Sequence, residues 1–139
     1  MYIAIDIGGS NTRIGTLASL NVPEVTLIGK FPTQPDYEQQ LGAIEETLQG
    51  YGAVPFSGIG VSIGGRIAKD GRSVLVAPNL PAYVGKPFAQ DMFERFSCPI
   101  RLAHDTVCGL LAEKQFGSIR DIDRCAYLTV STGTGAAFQ

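Results

Sequence analysis

The chain has 139 residues, of which 45% are hydrophobic and 17% charged, so it can bury the core of one ordinary domain. The net charge is −2, and the sequence contains no run of like charges. There is therefore no electrostatic reason to expect nucleic acid or an anionic membrane as a partner. No stretch approaches the roughly 20 apolar residues of a membrane span, and the apolar start is too short for a signal peptide. We therefore expect a single cytoplasmic domain.

The first part of the chain is predicted to form an antiparallel meander. Tyr2–Ile7 has the pattern of a short buried strand, Gly8-Gly9-Ser10-Asn11 that of a turn, and Thr12–Leu17 that of a returning strand. A third strand is predicted over Val25–Phe31.

The hydrophobic period then changes to that of a helix. Apolar residues recur at helical spacing from Tyr37 to Leu48, and Gly50 and Gly52 mark the end. A strand is predicted over Gly58–Ile63. Residues 66–76 resemble a hairpin, because an Asp-Gly pair at its middle readily forms a tight turn.

The last third alternates helix and strand. A helix is predicted to begin at Pro87, a strand to cover Pro99–Ala103, a second helix to cover Thr106–Phe116, and a strand to cover Ala126–Val130. This alternation favours parallel strands joined by helical crossovers, and hence an α/β fold. Since residues 136–139 read as the middle of a further strand, we expect the chain to be a fragment.

Cysteine and histidine content argues against disulfide bonds and a histidine-rich metal site. Cys98, Cys108 and Cys125 are odd in number and form no CxxC pair, so free thiols in a reducing compartment are expected. His104 is the only histidine.

Two loops rich in small residues each follow a predicted strand. In the first, Asp6 precedes Gly8 and Gly9, whose backbone N–H groups can approach a phosphate closely, while the carboxylate can hold Mg²⁺ directly or through water. The second is Ser131-Thr132-Gly133-Thr134-Gly135. Taken alone, the first is also compatible with a plain hairpin turn and the second with a flexible chain end. Neither has the Walker A pattern.

A candidate general base lies between these loops in sequence. Asp105 follows a predicted strand and opens a helix, so it is either a helix cap or a base that takes a proton from a sugar hydroxyl. Gly64-Gly65 and Asn79 follow another strand; Asn79 has the donors and acceptor that suit a sugar, although alone it is an ordinary turn residue. Two phosphate-type loops with a base between them indicate a phosphotransferase cleft.

At this point the chain resembles the ROK sugar kinases, the group of bacterial glucokinase, N-acetylglucosamine kinase and N-acetylmannosamine kinase. The resemblance covers essentially the whole chain and rests on five segments in the family's order. They are Asp6-Ile7-Gly8-Gly9-Ser10-Asn11-Thr12-Arg13, Ser62-Ile63-Gly64-Gly65, Ala77-Pro78-Asn79-Leu80-Pro81-Ala82-Tyr83, His104-Asp105, and the loop from Gly133 onward.

The resemblance implies an actin-like (ribonuclease-H-like) domain, with a mixed sheet of about five strands flanked by helices. Residues 1–139 would be the amino-terminal lobe, and the carboxyl-terminal lobe would be absent. Asp105 would be the catalytic base in ATP-dependent phosphorylation of a hexose or N-acetylhexosamine, and Asp6 would serve Mg²⁺. The sugar would contact Gly64, Gly65, Asn79, His104 and Asp105, and ATP would contact Asp6, Gly8, Gly9, Ser10, Asn11, Thr12, Thr132, Gly133 and Thr134.

Three departures from the family pattern bear on these expectations. His104 stands where the family usually has Asn, and Gly65 is followed by Arg66 rather than proline. The missing lobe carries the family's further sugar-binding residues, its zinc site and most of its adenosine site. We therefore expect no zinc in this chain and little or no activity from it alone, and homodimer formation stays open.

Two alternatives remain at this stage. Some relatives are transcription repressors with a DNA-binding module before the kinase-like part; here the first strand begins directly after Met1, so no such module is expected. Another actin-like phosphotransferase, such as an acyl-CoA-activating ATPase subunit or a pantothenate kinase, is disfavoured by Asn79-Leu80-Pro81.

Overall fold

A computed structural model describes residues 1–52, 55–130 and 134–139. The strands are β1 (Tyr2–Ile7), β2 (Asn11–Leu17), β3 (Thr26–Pro32), β4 (Gly58–Ile63), β5 (Arg66–Ile67), β6 (Val74–Val76), β7 (Ile100–His104), β8 (Ala126–Val130) and β9 (Thr134–Phe138). The helices are α1 (Tyr37–Tyr51), α2 (Phe88–Phe96) and α3 (Asp105–Phe116), with a 3₁₀ turn at Pro81–Tyr83. Within these three ranges, no helix has the length and apolar character that crossing a membrane requires.

Five strands form one mixed sheet in the order β3-β2-β1-β4-β7. The meander β1-β2-β3 is antiparallel, whereas β1, β4 and β7 are mutually parallel neighbours. This confirms the predicted mixed sheet of five strands and the parallel arrangement of its later part. The connections into β4 and β7 each contain a helix, because a parallel connection must return to the same end of the sheet.

The main core lies on one face of this sheet, beneath α1 and α2. Alternate residues of β1 and β4 point to this face, so Ile5 and Val61 are almost fully buried there. Asp36 caps α1 by accepting a hydrogen bond from the Gln39 N–H at 2.9 Å. The helices contribute Tyr37, Leu41, Ile44, Leu48, Phe88 and Met92 to the core.

The third helix lies on the opposite face. The Cys108 thiol of α3 contacts Ser62 of β4, which alternates with the core-facing Val61 and Ile63. Only Thr106 and Leu110 of this helix are buried. All three cysteines are free thiols, as expected.

The end of the chain departs from simple α/β alternation. Strand β8 does not join the main sheet; it pairs antiparallel with β9, from Ala126 opposite Phe138 to Val130 opposite Thr134. Both strands pack against α3, where the Tyr127 ring occupies the space that a side chain on Gly109 would fill. The connection that contains α3 thus leads out of the five-stranded sheet, since β8 pairs with β9 instead.

Candidate functional site

Three neighbouring parallel strands end at the same edge of the sheet. In the strand register Ile7 lies beside Ile63, and Ile63 lies beside His104. The next residues along the chain are Gly8, Gly64 and Asp105, so the two glycine turns and the candidate base leave the sheet side by side. Ligands bind at this carboxyl edge in open α/β sheets.

A cleft of about 610 Å³ occupies this edge. It brings together most of the residues that the sequence predicts for sugar and phosphate binding. These are Asp6, Gly8, Gly9, Ser10, Gly64, Gly65, Asn79, His104, Asp105 and Thr134. Asn11 and Thr12 do not line the cleft, and the predicted Thr132 and Gly133 lie outside the described residues.

The first glycine turn forms one wall of the cleft. The Gly8 N–H donates to the Asn11 carbonyl at 3.0 Å, which closes the turn between β1 and β2. A methyl group on Gly9 would lie 3.3 Å from the Asn79 Cβ atom, so this turn and the Asn79 loop are in close contact. The absence of side-chain bulk leaves the backbone open to a ligand.

The loop that contains Asn79 is fixed by the buried side chains that follow it in the sequence. Leu80 and Tyr83 are almost completely buried, and the Tyr83 hydroxyl donates to the Gln34 carbonyl at 2.7 Å. The Leu80 N–H donates to the Ala77 carbonyl at 3.0 Å, which closes the turn around Asn79. The amide of Asn79 is thereby presented to the cleft on a fixed backbone.

Thr12 lies behind the turn and points away from the cleft. Its side chain is completely buried, and its hydroxyl is bonded to Gln40 Nε2 at 2.9 Å and to Thr33 Oγ1 at 3.0 Å. The Thr33 hydroxyl in turn donates to the Gly8 carbonyl at 2.7 Å. Thr33 and Gln40 are not recognisable as site residues from the sequence, because their contacts with the turn are remote along the chain.

Asp6 is the acidic side chain closest to the first turn. Its Oδ1 accepts a hydrogen bond from Ser62 at 3.1 Å, and its Oδ2 lies 3.2 Å from Arg13 in a half-exposed ion pair. The described residues contain no cluster of three metal-ligating side chains. A single carboxylate fits Mg²⁺ in the mode common to phosphate-transferring sites, where phosphates and waters supply most ligands.

Asp105 and His104 are fixed together at the start of α3. The Thr106 N–H donates to Asp105 Oδ1 at 2.7 Å, and His104 Nδ1 lies 2.8 Å from the same oxygen and 2.6 Å from Thr106 Oγ1. His104 Nδ1 accepts a hydrogen bond from the Thr106 N–H at 3.2 Å, which makes His104 the capping residue of α3. His104 thus occupies the helix-cap position that the sequence suggested for Asp105.

The second oxygen of Asp105 remains open toward the cleft. A methyl group on Gly64 would lie 3.8 Å from Asp105 Oδ2, so this oxygen leans over the turn that follows β4. Among the described residues, Oδ2 takes part in no hydrogen bond. One oxygen of Asp105 is therefore anchored, while the other can accept a proton.

Cys108 lies one helical turn after Asp105, on the cleft side of α3. Burial raises the pKa of its thiol, the carboxylates of Asp105 and Asp6 raise it further, and a hydrogen bond with Ser62 lowers it. Both carboxylates are therefore close enough to Cys108 to raise the pKa of its thiol. From the sequence, Cys108 is predicted only to be a free thiol.

The mixed sheet, with its cleft at the carboxyl ends of the parallel strands, places the chain in the class of actin-like folds. Within that class, the chain belongs to the ROK family, whose family model matches residues 2–139.

Curated relatives include both kinases and repressors. The N-acetyl-D-glucosamine kinase of Shigella flexneri is 31% identical over 140 residues, which cover 97% of this chain and 45% of that protein. The xylose repressor of Caldicellulosiruptor bescii is 34% identical over 79 residues, which cover 57% of this chain and 20% of the repressor. The chain therefore spans less than half the length of these relatives.

Solved structures share the fold at lower sequence identity. A ROK glucokinase from Streptomyces griseus, in complex with glucose and AMPPNP, superposes with a TM-score of 0.86 at 23% identity. The match covers 99% of this chain and 43% of that one. A ROK transcriptional regulator homologous to the E. coli MLC protein gives a TM-score of 0.79 at 24% identity and covers 99% and 36% of the two chains.

Proposed function

We propose that this chain is the amino-terminal, sugar-facing half of a kinase that phosphorylates a hexose or N-acetylhexosamine with ATP. The observation that carries the proposal is the placement of the Gly8-Gly9 turn and Asp105 at neighbouring strand ends of one cleft. The similarity to N-acetyl-D-glucosamine kinase supports it. A cleft of this size accommodates a sugar ring and the terminal phosphates of a nucleotide.

Asp105 acts as the general base. Its Oδ1 is held by the Thr106 N–H and by His104, so the carboxylate keeps one orientation while Oδ2 accepts the proton of the attacking sugar hydroxyl. General-base catalysis of this kind contributes about 10²–10⁴-fold to a rate.

The sugar is bound by Gly64, Gly65, Asn79 and His104, beside Asp105. The side-chain amide of Asn79 donates to one hydroxyl and accepts from another. His104 offers a ring nitrogen as a hydrogen-bonding partner for a sugar hydroxyl, in the place where the family usually has Asn.

The nucleotide phosphates lie against Gly8, Gly9, Ser10 and Thr134, the predicted phosphate-binding residues that line the cleft. Bound Mg-ATP supplies the transferable phosphoryl group and a divalent charge that offsets its oxygens. Asp6 holds the metal ion, directly or through water, when its pair with Arg13 opens.

A sugar-responsive regulator is the second candidate, and the similarity to xylose repressors favours it. Such a protein would bind the sugar in the same cleft without transferring phosphate. Family membership speaks against the acyl-CoA-activating ATPase and pantothenate kinase alternatives.

The deciding experiment measures ADP release by the full-length protein with glucose, N-acetylglucosamine and N-acetylmannosamine, beside a direct measurement of sugar affinity. Asp105→Asn should lower kcat by about 10²–10⁴-fold and leave sugar affinity nearly intact, because Asn keeps the hydrogen bonds but accepts no proton. Asp121→Asn is the matched control, since Asp121 is exposed and lies outside the cleft.

Each outcome separates the candidates. Turnover that survives Asp105→Asn would exclude Asp105 as the base. Sugar binding by the wild-type protein with no ADP release from any of the three sugars would favour the regulator.

A further inference from the structure

One polar residue buried behind the first glycine turn is Gln40 of α1. Its side chain is completely buried, although an uncharged amide has two donors and an acceptor to satisfy. The Gln34 backbone N–H lies 2.9 Å from Oε1 and can only donate, so Oε1 must be the amide oxygen at that point. Gln40 Nε2 therefore faces Thr12 Oγ1 and donates to it.

This donor fixes the direction of a chain of hydrogen bonds. Thr33 has one hydroxyl proton, and it is used toward the Gly8 carbonyl at 2.7 Å, so the contact between the two threonine hydroxyls must be donated by Thr12. The order is Gln40 to Thr12, Thr12 to Thr33, and Thr33 to the Gly8 carbonyl oxygen. No described buried side-chain polar atom is left without a partner.

The last bond fixes the plane of the peptide between Gly8 and Gly9. A trans peptide points its carbonyl and its N–H in opposite directions. Because the Gly8 carbonyl is held toward Thr33, the Gly9 N–H points away from Thr33. The Gly8 N–H is already used by the Asn11 carbonyl, whereas the Gly9 N–H makes no backbone hydrogen bond among the described residues.

We propose that Gln40, Thr12 and Thr33 are positioning residues that aim the Gly9 N–H into the cleft as a donor to a nucleotide phosphate. The inference rests on the proposed function and specifies which amide of the turn meets the phosphate. Two flexible glycines could orient this N–H in many directions, and the buried series of hydrogen bonds selects one of them. Because the Gly9 N–H is oriented before the nucleotide binds, less binding free energy is lost in ordering the turn.

The test compares Thr33→Val with Thr33→Ser in the full-length protein. Valine keeps the shape of threonine but has no hydroxyl, whereas serine keeps the hydroxyl. Affinity for AMPPNP with Mg²⁺ and affinity for the preferred sugar are measured separately by calorimetry. Thr47→Val is the matched control, because the Thr47 hydroxyl donates to the Ala43 carbonyl within α1 and belongs to no contact with the turn.

Thr33→Val removes one hydrogen bond from the series that holds the Gly8 carbonyl, so it should weaken AMPPNP binding by about five- to tenfold. Thr33→Ser should recover most of that loss, and sugar affinity should be unchanged in both variants. A general folding defect would lower both affinities together. As a readout without ligand, the amide NMR resonance of Gly9 should shift in Thr33→Val and return in Thr33→Ser.

AMPPNP affinity in Thr33→Val equal to that of the wild type would overturn the inference, and so would a parallel loss of sugar affinity or a failure of Thr33→Ser to restore binding. Wild-type protein that binds no AMPPNP would overturn the proposed nucleotide site itself, and with it this inference. Because the wild type is measured first, the two failures are distinguishable.

Discussion

The turn that follows β4 allows a quantitative prediction, because Gly65 combines an unusual backbone with a close contact. Its φ is +139°, a conformation that residues with a side chain rarely adopt. A methyl group added there would lie 2.2 Å from the Val76 carbonyl oxygen and 3.2 Å from the Ala77 Cα atom. Both neighbours are backbone atoms, so neither can rotate away.

Gly65→Ala should therefore destabilise the protein by about 3–5 kcal/mol, since backbone strain of about 1–3 kcal/mol adds to an overpacking cost of similar size. The variant should also displace β6 from β5 and thereby move the Asn79 loop. Urea unfolding followed by circular dichroism gives the change as a shift in midpoint at constant slope.

Gly60→Ala is the control for this measurement. Gly60 lies in the middle of β4, and a methyl group there meets nothing within 4 Å. This variant should be neutral or stabilised by about 0.4–1 kcal/mol, because alanine restricts the unfolded chain. If Gly65→Ala is as stable as Gly60→Ala, the steric reasoning is wrong.

Three further predictions concern the support of the core. Ser97 ends α2 with a φ of 51°, so Ser97→Gly should raise the free energy of unfolding by about 0.5–1 kcal/mol, measured by urea denaturation. The Tyr37 hydroxyl donates to Asp91 at 2.6 Å, so Tyr37→Phe should cost about 1–2 kcal/mol in the same assay. Burial first, and then Asp91, raise the pKa of Tyr37 above its ordinary 10.0. The contribution of this group to stability is therefore constant below pH 10.0 and is lost above it, as the unfolded chain releases the proton first. That alkaline loss should be smaller in Tyr37→Phe. Burial also raises the pKa of the Cys98 thiol, so iodoacetamide should modify it far more slowly in native protein than in urea, as mass spectrometry would report.

Much of the sheet could be predicted from local pattern alone. The strands Tyr2–Ile7 and Gly58–Ile63 have the predicted bounds, because short apolar runs between glycine turns leave little freedom in where a buried strand begins and ends. Helix α1 extends through Gly50 to Tyr51 and stops at Gly52, the residue with a φ of 124°. Glycine marks a permitted end of a helix, and only the backbone conformation decides which glycine ends it.

The site was predictable where its residues follow strands. Asp105 and the glycines of both turns are found by that rule, since neighbouring parallel strands end at one edge. Thr33 and Gln40 were not predictable, because they meet the turn through contacts across 25 and 28 positions in the chain. The separation of β8 from the main sheet was equally hidden, since its sequence suits a strand in either sheet.

The strand register described above also sets a distance. Gly8 and Asp105 begin two inter-strand intervals apart, and each interval is about 4.8 Å, so roughly 10 Å separates the first glycine turn from the proposed base. Three distances add up to a span of the same order. The attacking hydroxyl would lie about 2.7 Å from Asp105, the phosphorus atom about 3–3.5 Å from that hydroxyl, and a phosphoryl oxygen about 2.9 Å from an N–H of the turn. Backbone hydrogen bonds across β1, β4 and β7 hold this separation, so in the proposed kinase substitutions in the turns would change which sugar is accepted without altering the distance of the transfer.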